Sequence, residues 1–295
     1  MIKLNINLQE RSYPIYVANN FDGIGKCMTA LKSKGKLAVI TDTNVEKIYL
    51  QPCMDILRSA GYEVYSYVIK AGEENKNLDT VREIYRFLID FKFDRRSSLI
   101  ALGGGVTGDI TGFVAATFLR GINFIQMPTT LLAQADSSVG GKTGVDFDGS
   151  KNMIGAFYQP SFVYINVSSL RTLPERQLRS GMAEVVKHGI IADSEFYEFV
   201  DYNVDRILRL DEDVLQYMTK VNCSIKGEVI EKDEKESGLR AILNFGHTIG
   251  HAIESVSNFS LLHGECVSLG MVAAFKIAKQ LGIVDISLIE KVEET

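Results

Sequence analysis

The sequence predicts an α/β domain over residues 1–170, built on a mostly parallel sheet, and an all-helical domain over residues 171–295. At 295 residues the chain is longer than one hydrophobic core usually supports, which favours two domains. Short apolar runs alternate with segments of helical period through the first half. All five prolines lie at or before Pro174, and the helical period continues beyond it.

Five short apolar runs of the first half are predicted strands, because each is bounded by Gly, Asp, Asn or Pro. Most of them are too continuously apolar to leave one face in water, which is typical of a parallel sheet covered on both sides. Segment 77–91 has apolar residues at helical spacing, so the alternation predicts βαβ units with right-handed crossovers. The predicted strands cover 36–41, 63–69, 98–102, 123–127 and 162–165.

Five segments of helical period make up the second half of the chain. Pro174 suits the first turn of a helix, where its missing N–H group is not needed for the helical hydrogen bonds. Because no strand is predicted among these segments, this half is expected to be all-helical. The predicted helices cover 175–191, 195–210, 214–232, 243–255 and 265–281.

The composition and charge are those of an ordinary globular protein. A formal net charge of -5 argues against nucleic acid or an anionic membrane as the main partner. No signal peptide is predicted at the N-terminus, and the least polar stretch, 97–119, contains Asp109 and five glycines, so no membrane span is predicted. The four cysteines are scattered without a C-x-x-C pair, which predicts no thiolate zinc site and a reducing, cytoplasmic setting.

A glycine-rich turn follows the strand at 98–102. The segment GGGVTGD matches G-x-G-x-x-G from Gly103, a pattern that lets the backbone approach a pyrophosphate at a helix N-terminus. The pattern alone equally describes a tight strand-to-helix turn without a ligand. No acidic residue ends a second strand about twenty positions later, as in the usual fingerprint. Asp42 ends an earlier strand, and it could bind a ribose hydroxyl if that strand neighbours the glycine strand.

Three of the four histidines fall within seventeen residues. His247 and His251 are four apart on one helix face, and His263 precedes the next predicted helix. Glu184 lies in an otherwise apolar helix segment and shares a face with Lys187. Two imidazoles and a carboxylate with an open position form a catalytic metal site, for which zinc is the leading ion. Hydrogen-bonded core histidines are the alternative, and spacing, which favours the pair four apart, cannot decide which two histidines bind.

Several cations lie on polar, glycine-punctuated segments or ahead of the histidine cluster. In an acidic chain they are candidates for binding an anionic substrate, provided that the fold brings them together. For any one of them alone, a solvated surface position is the more ordinary expectation. They are Arg120, Lys142, Lys151, Lys226 and Arg240.

Six motifs taken together resemble the 3-dehydroquinate synthase family. They are collinear with that family from about Asp42 onward: GGGVTGD, MPTTLLAQADSSVGGKTGVD, KNMIGAFYQP, TLPERQLRSGMAEVVKHGI, LNFGHTIGHAIE and HGECVSLGM. The resemblance implies conversion of 3-deoxy-D-arabino-heptulosonate 7-phosphate to 3-dehydroquinate and phosphate, in the shikimate pathway of aromatic amino acid biosynthesis. It also implies NAD used catalytically. A hydroxyl is transiently oxidised, phosphate is eliminated, the ketone is reduced again, and an intramolecular aldol step closes the ring.

The resemblance implies a metal centre of Glu184, His247 and His263, with Zn²⁺ as the ion and Co²⁺ as a possible substitute. Zinc would act as a Lewis acid on the hydroxyl that is oxidised. This choice of ligands leaves His251 for proton transfer and substrate contact. The implied catalytic residues are Lys142, His251, Asp136 and Lys187.

The same resemblance implies two sets of binding residues. Arg120 matches a residue that reaches the phosphate across a dimer interface, so a homodimer is implied. The NAD contacts are Asp42, Asn44, Glu73, Lys76, Gly104, Gly105, Asp109, Thr129, Thr130, Lys142, Lys151 and Thr172. The contacts to the small anionic sugar phosphate are Arg120, Lys151, Asn152, Lys226, Arg240 and Asn244, with Lys187 as a further contact.

Two departures from the family pattern accompany the resemblance. The family normally continues some tens of residues past Thr295, and that tail carries a further lysine that reaches the phosphate. A ring-bearing residue often occupies the position of Ser169, so the adenine contact is expected to differ.

Three other functions compete with the synthase. A related cyclase would act on a sugar phosphate without a carboxylate, and a metal-dependent polyol dehydrogenase would release NADH. A non-catalytic sensor or scaffold would keep the pocket without turnover. Lys226 and Arg240 favour the synthase over the dehydrogenase, because a neutral polyol needs no carboxylate clamp.

Overall fold

A computed structural model describes residues 1–31, 35–257 and 260–294 of the chain. The chain divides into two compact units, Met1–Arg171 and Thr172–Thr295. Strands and helices alternate in the first unit, whereas the described part of the second unit contains helices and turns only. Among the residues that the structure describes, no helix combines the length and apolar character needed to cross a membrane.

Seven strands of the first unit form one sheet in the order β1-β2-β9-β6-β5-β3-β4. Only the β1–β2 pair is antiparallel, and all other neighbours are parallel. The strands are β1 (Ile2–Ile6), β2 (Tyr13–Ala18), β3 (Leu37–Asp42), β4 (Val64–Ile69), β5 (Ser98–Gly103), β6 (Asn123–Pro128) and β9 (Phe162–Asn166). A separate antiparallel hairpin joins β7 (Lys142–Phe147) to β8 (Ser150–Phe157). All five predicted strands are confirmed, whereas β1, β2 and the hairpin were not predicted.

Helices cover both faces of this sheet, as its apolar strands require. They are α1 (Ile24–Ala30), α2 (Gln51–Ser59), α3 (Leu78–Asp90) and α4 (Gly105–Thr117). Residues of α1 and α2 pack on the face that presents Val39, and residues of α3 and α4 pack on the face that presents Ile40. Helix α3 begins after Asn77, whose side chain accepts a hydrogen bond from the Thr80 N–H at 3.0 Å.

The order in which successive strands are added to the sheet reverses after β4. From β3 the chain moves outward to the edge strand β4, and it then returns past β3 to β5. In open α/β sheets, ligands bind in the crevice at the carboxyl ends of the strands where the order reverses in this way. Asp42 ends β3 and Gly103 ends β5. The prediction for Asp42 required its strand to neighbour the glycine strand, and β3 does pair with β5.

The second unit consists of seven helices in its described part: α5 (Glu175–Ala192), α6 (Ser194–Tyr202), α7 (Val204–Leu208), α8 (Glu212–Lys232), α9 (His247–Val256), α10 (His263–Gln280) and α11 (Ile286–Glu294). The single helix predicted over 195–210 is wrong, because the helix is interrupted at Asn203. Asn203 leaves the helical conformation (φ −104°, ψ 12°), and its side-chain amide donates to the Phe199 carbonyl at 2.8 Å beside the backbone N–H of the same residue. The helix predicted from residue 243 begins instead at His247, because a 3₁₀ turn and the left-handed Gly246 (φ 79°) come first.

We expect Gly112→Ala to destabilise the first unit, because α4 packs closely on the sheet and the hairpin at this position. A Cβ at Gly112 would lie 2.3 Å from Thr143 Cγ2 and 3.0 Å from ring atoms of Phe124. Thr143 cannot rotate away without losing its hydrogen bond to the Ala156 carbonyl. Overpacking of this kind costs about 1–3 kcal/mol of unfolding free energy, measurable by urea denaturation.

Gly25→Ala is the matched control, because the one atom near its added Cβ is the Ala60 Cβ at 3.2 Å. Alanine is the better helix former, so this variant should be as stable as the wild type or more stable. A Gly112→Ala variant with an undiminished urea midpoint would contradict the close packing of α4.

Candidate active site and metal centre

Asp42 links the end of β3 to the start of α4. Its Oδ1 atom accepts a hydrogen bond from the Asn44 N–H at 2.9 Å, and its Oδ2 atom accepts one from the Thr107 hydroxyl at 3.3 Å. A carboxylate at the end of a strand beside a glycine turn is the group that binds ribose hydroxyls in dinucleotide-binding folds. The structure therefore brings Asp42 and Asn44 to the glycine turn.

The glycine turn lies against the segment that follows β6. A Cβ at Gly104 would approach Thr130 Cγ2 to 3.1 Å, and the Thr129 N–H donates to the Gly103 carbonyl at 2.9 Å. Helix α4 begins at Gly105, and its first turn contains no acidic residue. The N–H groups of such a turn favour negative charge, as the predicted pyrophosphate requires.

A buried lysine organises the other predicted NAD residues of this unit. The Lys76 ammonium lies 2.7 Å from Asp109 Oδ2 and 3.7 Å from Glu73 Oε1, and it donates to Asn152 Oδ1. Burial raises the pKa of Asp109 to about 6, and the neighbouring Lys76 opposes that rise. Burial alone would lower the pKa of Lys76, but Asp109 and Glu73 outweigh it and raise the pKa overall. Asn152, predicted as a substrate contact, thus joins the predicted cofactor residues in this structure.

The remaining predicted residues of the first unit lie on separate segments. Lys142 starts β7 and Lys151 follows in β8, both exposed to solvent. Asp136 is half-buried in the short helical turn Ala133–Ser137. Arg120 is exposed just after α4, where its own φ of 68° follows a φ of 52° at Leu119. Thr172, assigned to the second unit, is also exposed.

Three helices of the second unit bring together a carboxylate and two imidazoles. Glu184 of α5 is fully buried, and its Oε1 atom lies 3.7 Å from His247 Nε2 and 3.4 Å from His263 Nε2. All three ligand atoms lie within 4.8 Å of one another. A tetrahedral zinc ion with bonds of about 2.0–2.1 Å holds its ligands about 3.4 Å apart. The donor set and its spacing therefore fit a zinc ion.

Close backbone contacts bring these helices together. A Cβ at Gly270 would lie 1.9 Å from the Gly246 carbonyl oxygen, so α9 and α10 touch through backbone atoms. A Cβ at Gly264 would lie 1.8 Å from the Ser180 carbonyl oxygen, so α10 touches α5 in the same way. Since His247 and His263 are the first residues of α9 and α10, these contacts carry both imidazoles to Glu184.

Neighbouring groups prepare the ligands for a metal ion. The Lys187 ammonium donates to Glu184 Oε2, which leaves Oε1 as the oxygen that faces the histidines. His247 Nδ1 lies 3.2 Å from the Phe245 carbonyl, an arrangement that directs Nε2 toward Glu184. Burial lowers the pKa of His247, and Lys187 lowers it further. Both effects favour the neutral imidazole, which is the form that binds metals.

His251 lies beside this centre but is more exposed. Its ring centroid is 5.2 Å from that of His247 and 6.1 Å from that of His263. His251, Glu254 and His263 form a second group whose ligand atoms lie within 4.8 Å of one another. Because the buried Glu184 groups with His263, the geometry favours the ligands that the resemblance implies over the pair four residues apart.

Two buried cations precede the histidine cluster in the chain. Lys226 of α8 is 5% exposed, and Arg240 of the turn Leu239–Asn244 is 2% exposed. Asp233 holds the connection between them, since its carboxylate accepts backbone hydrogen bonds from Ser237, Gly238 and Arg240 at 2.7–3.0 Å. The segment that carries Arg240 is thus fixed by backbone hydrogen bonds to one carboxylate.

The structure adds residues that the sequence did not single out. The side-chain amide of Asn244 donates a hydrogen bond to Glu236 Oε1 at 2.8 Å, so Glu236 contacts a residue that is predicted to bind the substrate. Asp233 and Glu236 occur in a polar loop without a recognisable spacing. His188, the fourth histidine, is fully buried, and its Nδ1 atom lies 2.8 Å from Asn222 Oδ1.

Solved structures define the class of protein first. A 2-deoxy-scyllo-inosose synthase in complex with carbaglucose-6-phosphate, NAD⁺ and Co²⁺ is similar at a TM-score of 0.91 and 27% identity, covering 99% of this chain and 79% of that one. The 2-epi-5-epi-valiolone synthase of Streptomyces hygroscopicus subsp. jinggangensis 5008, with NAD⁺ and Zn²⁺ bound, is similar at a TM-score of 0.90 and 26% identity. That similarity covers 98% of this chain and 80% of that one. The fold is that of the sugar phosphate cyclases.

Sequence comparison then defines the family. The family model of the 3-dehydroquinate synthase N-terminal region matches residues 66–180, and that of the C-terminal region matches 181–295. The 3-dehydroquinate synthase of Acetivibrio thermocellus is 66% identical over 295 residues, covering 100% of this chain and 82% of that protein. The chain therefore belongs to the 3-dehydroquinate synthase family and is an enzyme of that type, as the motifs predict.

We expect Asp233→Ala to lower the urea midpoint at neutral pH. Backbone hydrogen bonds, first from Ser237 and then from Arg240, hold the pKa of Asp233 far below its ordinary value of 3.8. A depressed pKa stabilises the fold above the ordinary value, and this stability is lost as the pH falls through the folded-state pKa. The difference between wild type and variant should therefore be largest near neutral pH and shrink below about pH 4.

Glu228→Ala on the same helix is the control, since Glu228 is exposed. Its urea midpoint should follow that of the wild type at every pH. If the Asp233 variant were destabilised equally at pH 7 and pH 3, the carboxylate would not anchor this loop.

Proposed function

We propose that this enzyme converts 3-deoxy-D-arabino-heptulosonate 7-phosphate to 3-dehydroquinate and phosphate, with NAD and a divalent metal, first of all zinc, as cofactors. One observation carries the proposal: in a chain of this family, the buried Glu184 faces two imidazoles at the spacing of a tetrahedral metal site. The NAD⁺ and the Co²⁺ or Zn²⁺ of the two similar cyclase structures support the same cofactors.

The metal centre is proposed to act through Glu184, His247 and His263. When bound, the metal would supply Lewis acidity and NAD would supply reversible hydride transfer at the substrate hydroxyl. Lys187 keeps one oxygen of Glu184 engaged, so the carboxylate presents the other to the site. His251, whose ring centroid is 5.2 Å from that of His247, is proposed to exchange a proton with the substrate.

The first unit is proposed to bind NAD at the crevice between β3 and β5. Asp42 and Asn44 bind the ribose, and the glycine turn with Thr129 and Thr130 receives the pyrophosphate. The buried Lys76, which lies 2.7 Å from Asp109, is proposed as a further NAD contact. The residues proposed with it are Glu73, Asp109, Lys142, Lys151 and Thr172.

The substrate is proposed to bind through its two anionic groups. Lys226 and Arg240 neutralise the carboxylate, since both are cations buried inside the second unit. Asn244 and Asn152 add hydrogen bonds, and Asp136 lies close to the reacting hydroxyl. Arg120 reaches the phosphate of a second copy, which makes the proposed active form a homodimer.

An assay with the heptulosonate phosphate tests this function directly. Phosphate release without net formation of NADH is the expected result, because the hydride returns to the substrate within each turnover. Stoichiometric NADH from glycerol would favour a polyol dehydrogenase instead. Turnover of a sugar phosphate that lacks the carboxylate, without turnover of the heptulosonate, would contradict the proposed substrate.

We expect His263→Ala to lose zinc and turnover while NAD binding is retained. The substitution removes one of two imidazoles from the metal set, but it leaves the first unit unchanged. Metal content after dialysis, turnover and an NAD titration measure the three effects. His251→Ala is the matched variant, and it should slow turnover and keep its metal. Full zinc occupancy in the His263 variant would show that the proposed ligands are wrong.

A further inference from the structure

Three residues of α5 lie along one stripe and meet the start of α10. Arg176, Ser180 and Glu184 are spaced four residues apart, so they share one face of the helix. Glu184 faces His263, and Ser180 lies against the next residue, Gly264. Each residue of the stripe therefore has its own contact with the segment that carries the metal ligand.

Arg176 holds this segment on both sides of His263. Its Nε and Nη2 atoms each lie 2.7 Å from one oxygen of Glu265, and Nη2 also donates to the Ser260 carbonyl at 3.1 Å. Two parallel hydrogen bonds fix orientation as well as distance. Glu265 in turn accepts the Leu262 N–H at 2.8 Å and closes the first turn of α10.

Ser180 fixes the position of the start of α10 along α5. Its hydroxyl accepts the Gly264 N–H at 3.1 Å, and its carbonyl leaves no room for a side chain at Gly264. His263 is thus held from both sides and directed at Glu184. The direction matters, because Glu254 of α9 belongs to another group of possible ligands that shares His263.

We propose that Arg176, acting through Glu265, is a positioning residue for the ligand His263 and sets the metal affinity of the site. The inference rests on the proposed metal function. A ligand held in place before the metal arrives loses less conformational freedom on binding. Residues that hydrogen-bond a metal ligand directly typically change metal affinity by about 10–100-fold when they are replaced, and Arg176 acts one residue further out, so its effect should lie at or below the lower end of that range.

Zinc affinity of the full chain, measured by competition with a chelator, tests this role. Arg176→Gln should weaken zinc binding by up to about tenfold. Arg176→Lys should weaken it less, because lysine keeps the charge but not the paired hydrogen bonds. Arg179→Gln is the matched control, since Arg179 pairs with Glu175 of its own helix at 2.8 Å and should leave the affinity unchanged.

A double-variant cycle distinguishes positioning from general stability. Glu265→Gln together with Arg176→Gln should weaken zinc binding by clearly less than the product of the two single factors, because both substitutions remove the same paired hydrogen bonds between Arg176 and Glu265. Additive losses in zinc affinity, or an Arg176→Gln variant that binds zinc as tightly as Arg179→Gln, would overturn the positioning role. A wild-type chain that holds no zinc would instead contradict the metal site, and the positioning role with it.

Discussion

The buried carboxylate of Glu184 is the constraint on which the second unit depends. A fully buried charge is costly unless other groups balance it. Lys187 supplies that balance from the same helix, and His247 and His263 approach from two others. The backbone contacts at Gly246, Gly264 and Gly270 are the means of this approach. In this unit, the packing of the helices also determines which groups surround the buried carboxylate, so a change in one alters the other.

The strands of the covered sheet could be predicted from the sequence. Continuous apolar runs such as that of β5 are stable only where both faces of the strand are buried. The sequence was not sufficient for the hairpin of β7 and β8. Most residues of β8 are exposed, so no apolar period marks the strand. Similarly, the interruption at Asn203 lies in the backbone angles of one residue, which the period of the surrounding apolar residues does not encode.

The candidate site was predictable in its residue types but not in its arrangement. Spacing detects histidines that share one helix, such as His247 and His251, whereas His263 begins another helix and reaches Glu184 only through the packing of α10 on α5. Only the resemblance to a family pointed to that ligand. Glu236 carried no signal at all, because its hydrogen bond to Asn244 depends on the path of an irregular loop.

The positions of His247 and His263 in their helices have an electrical consequence. Each is the first residue of its helix, so two helix N-termini, with their partial positive charges, meet at one point. Their field opposes a cation there and favours an anion beside it. A cation held by these two imidazoles would be bound against this field, whereas an anionic group beside it would be stabilised.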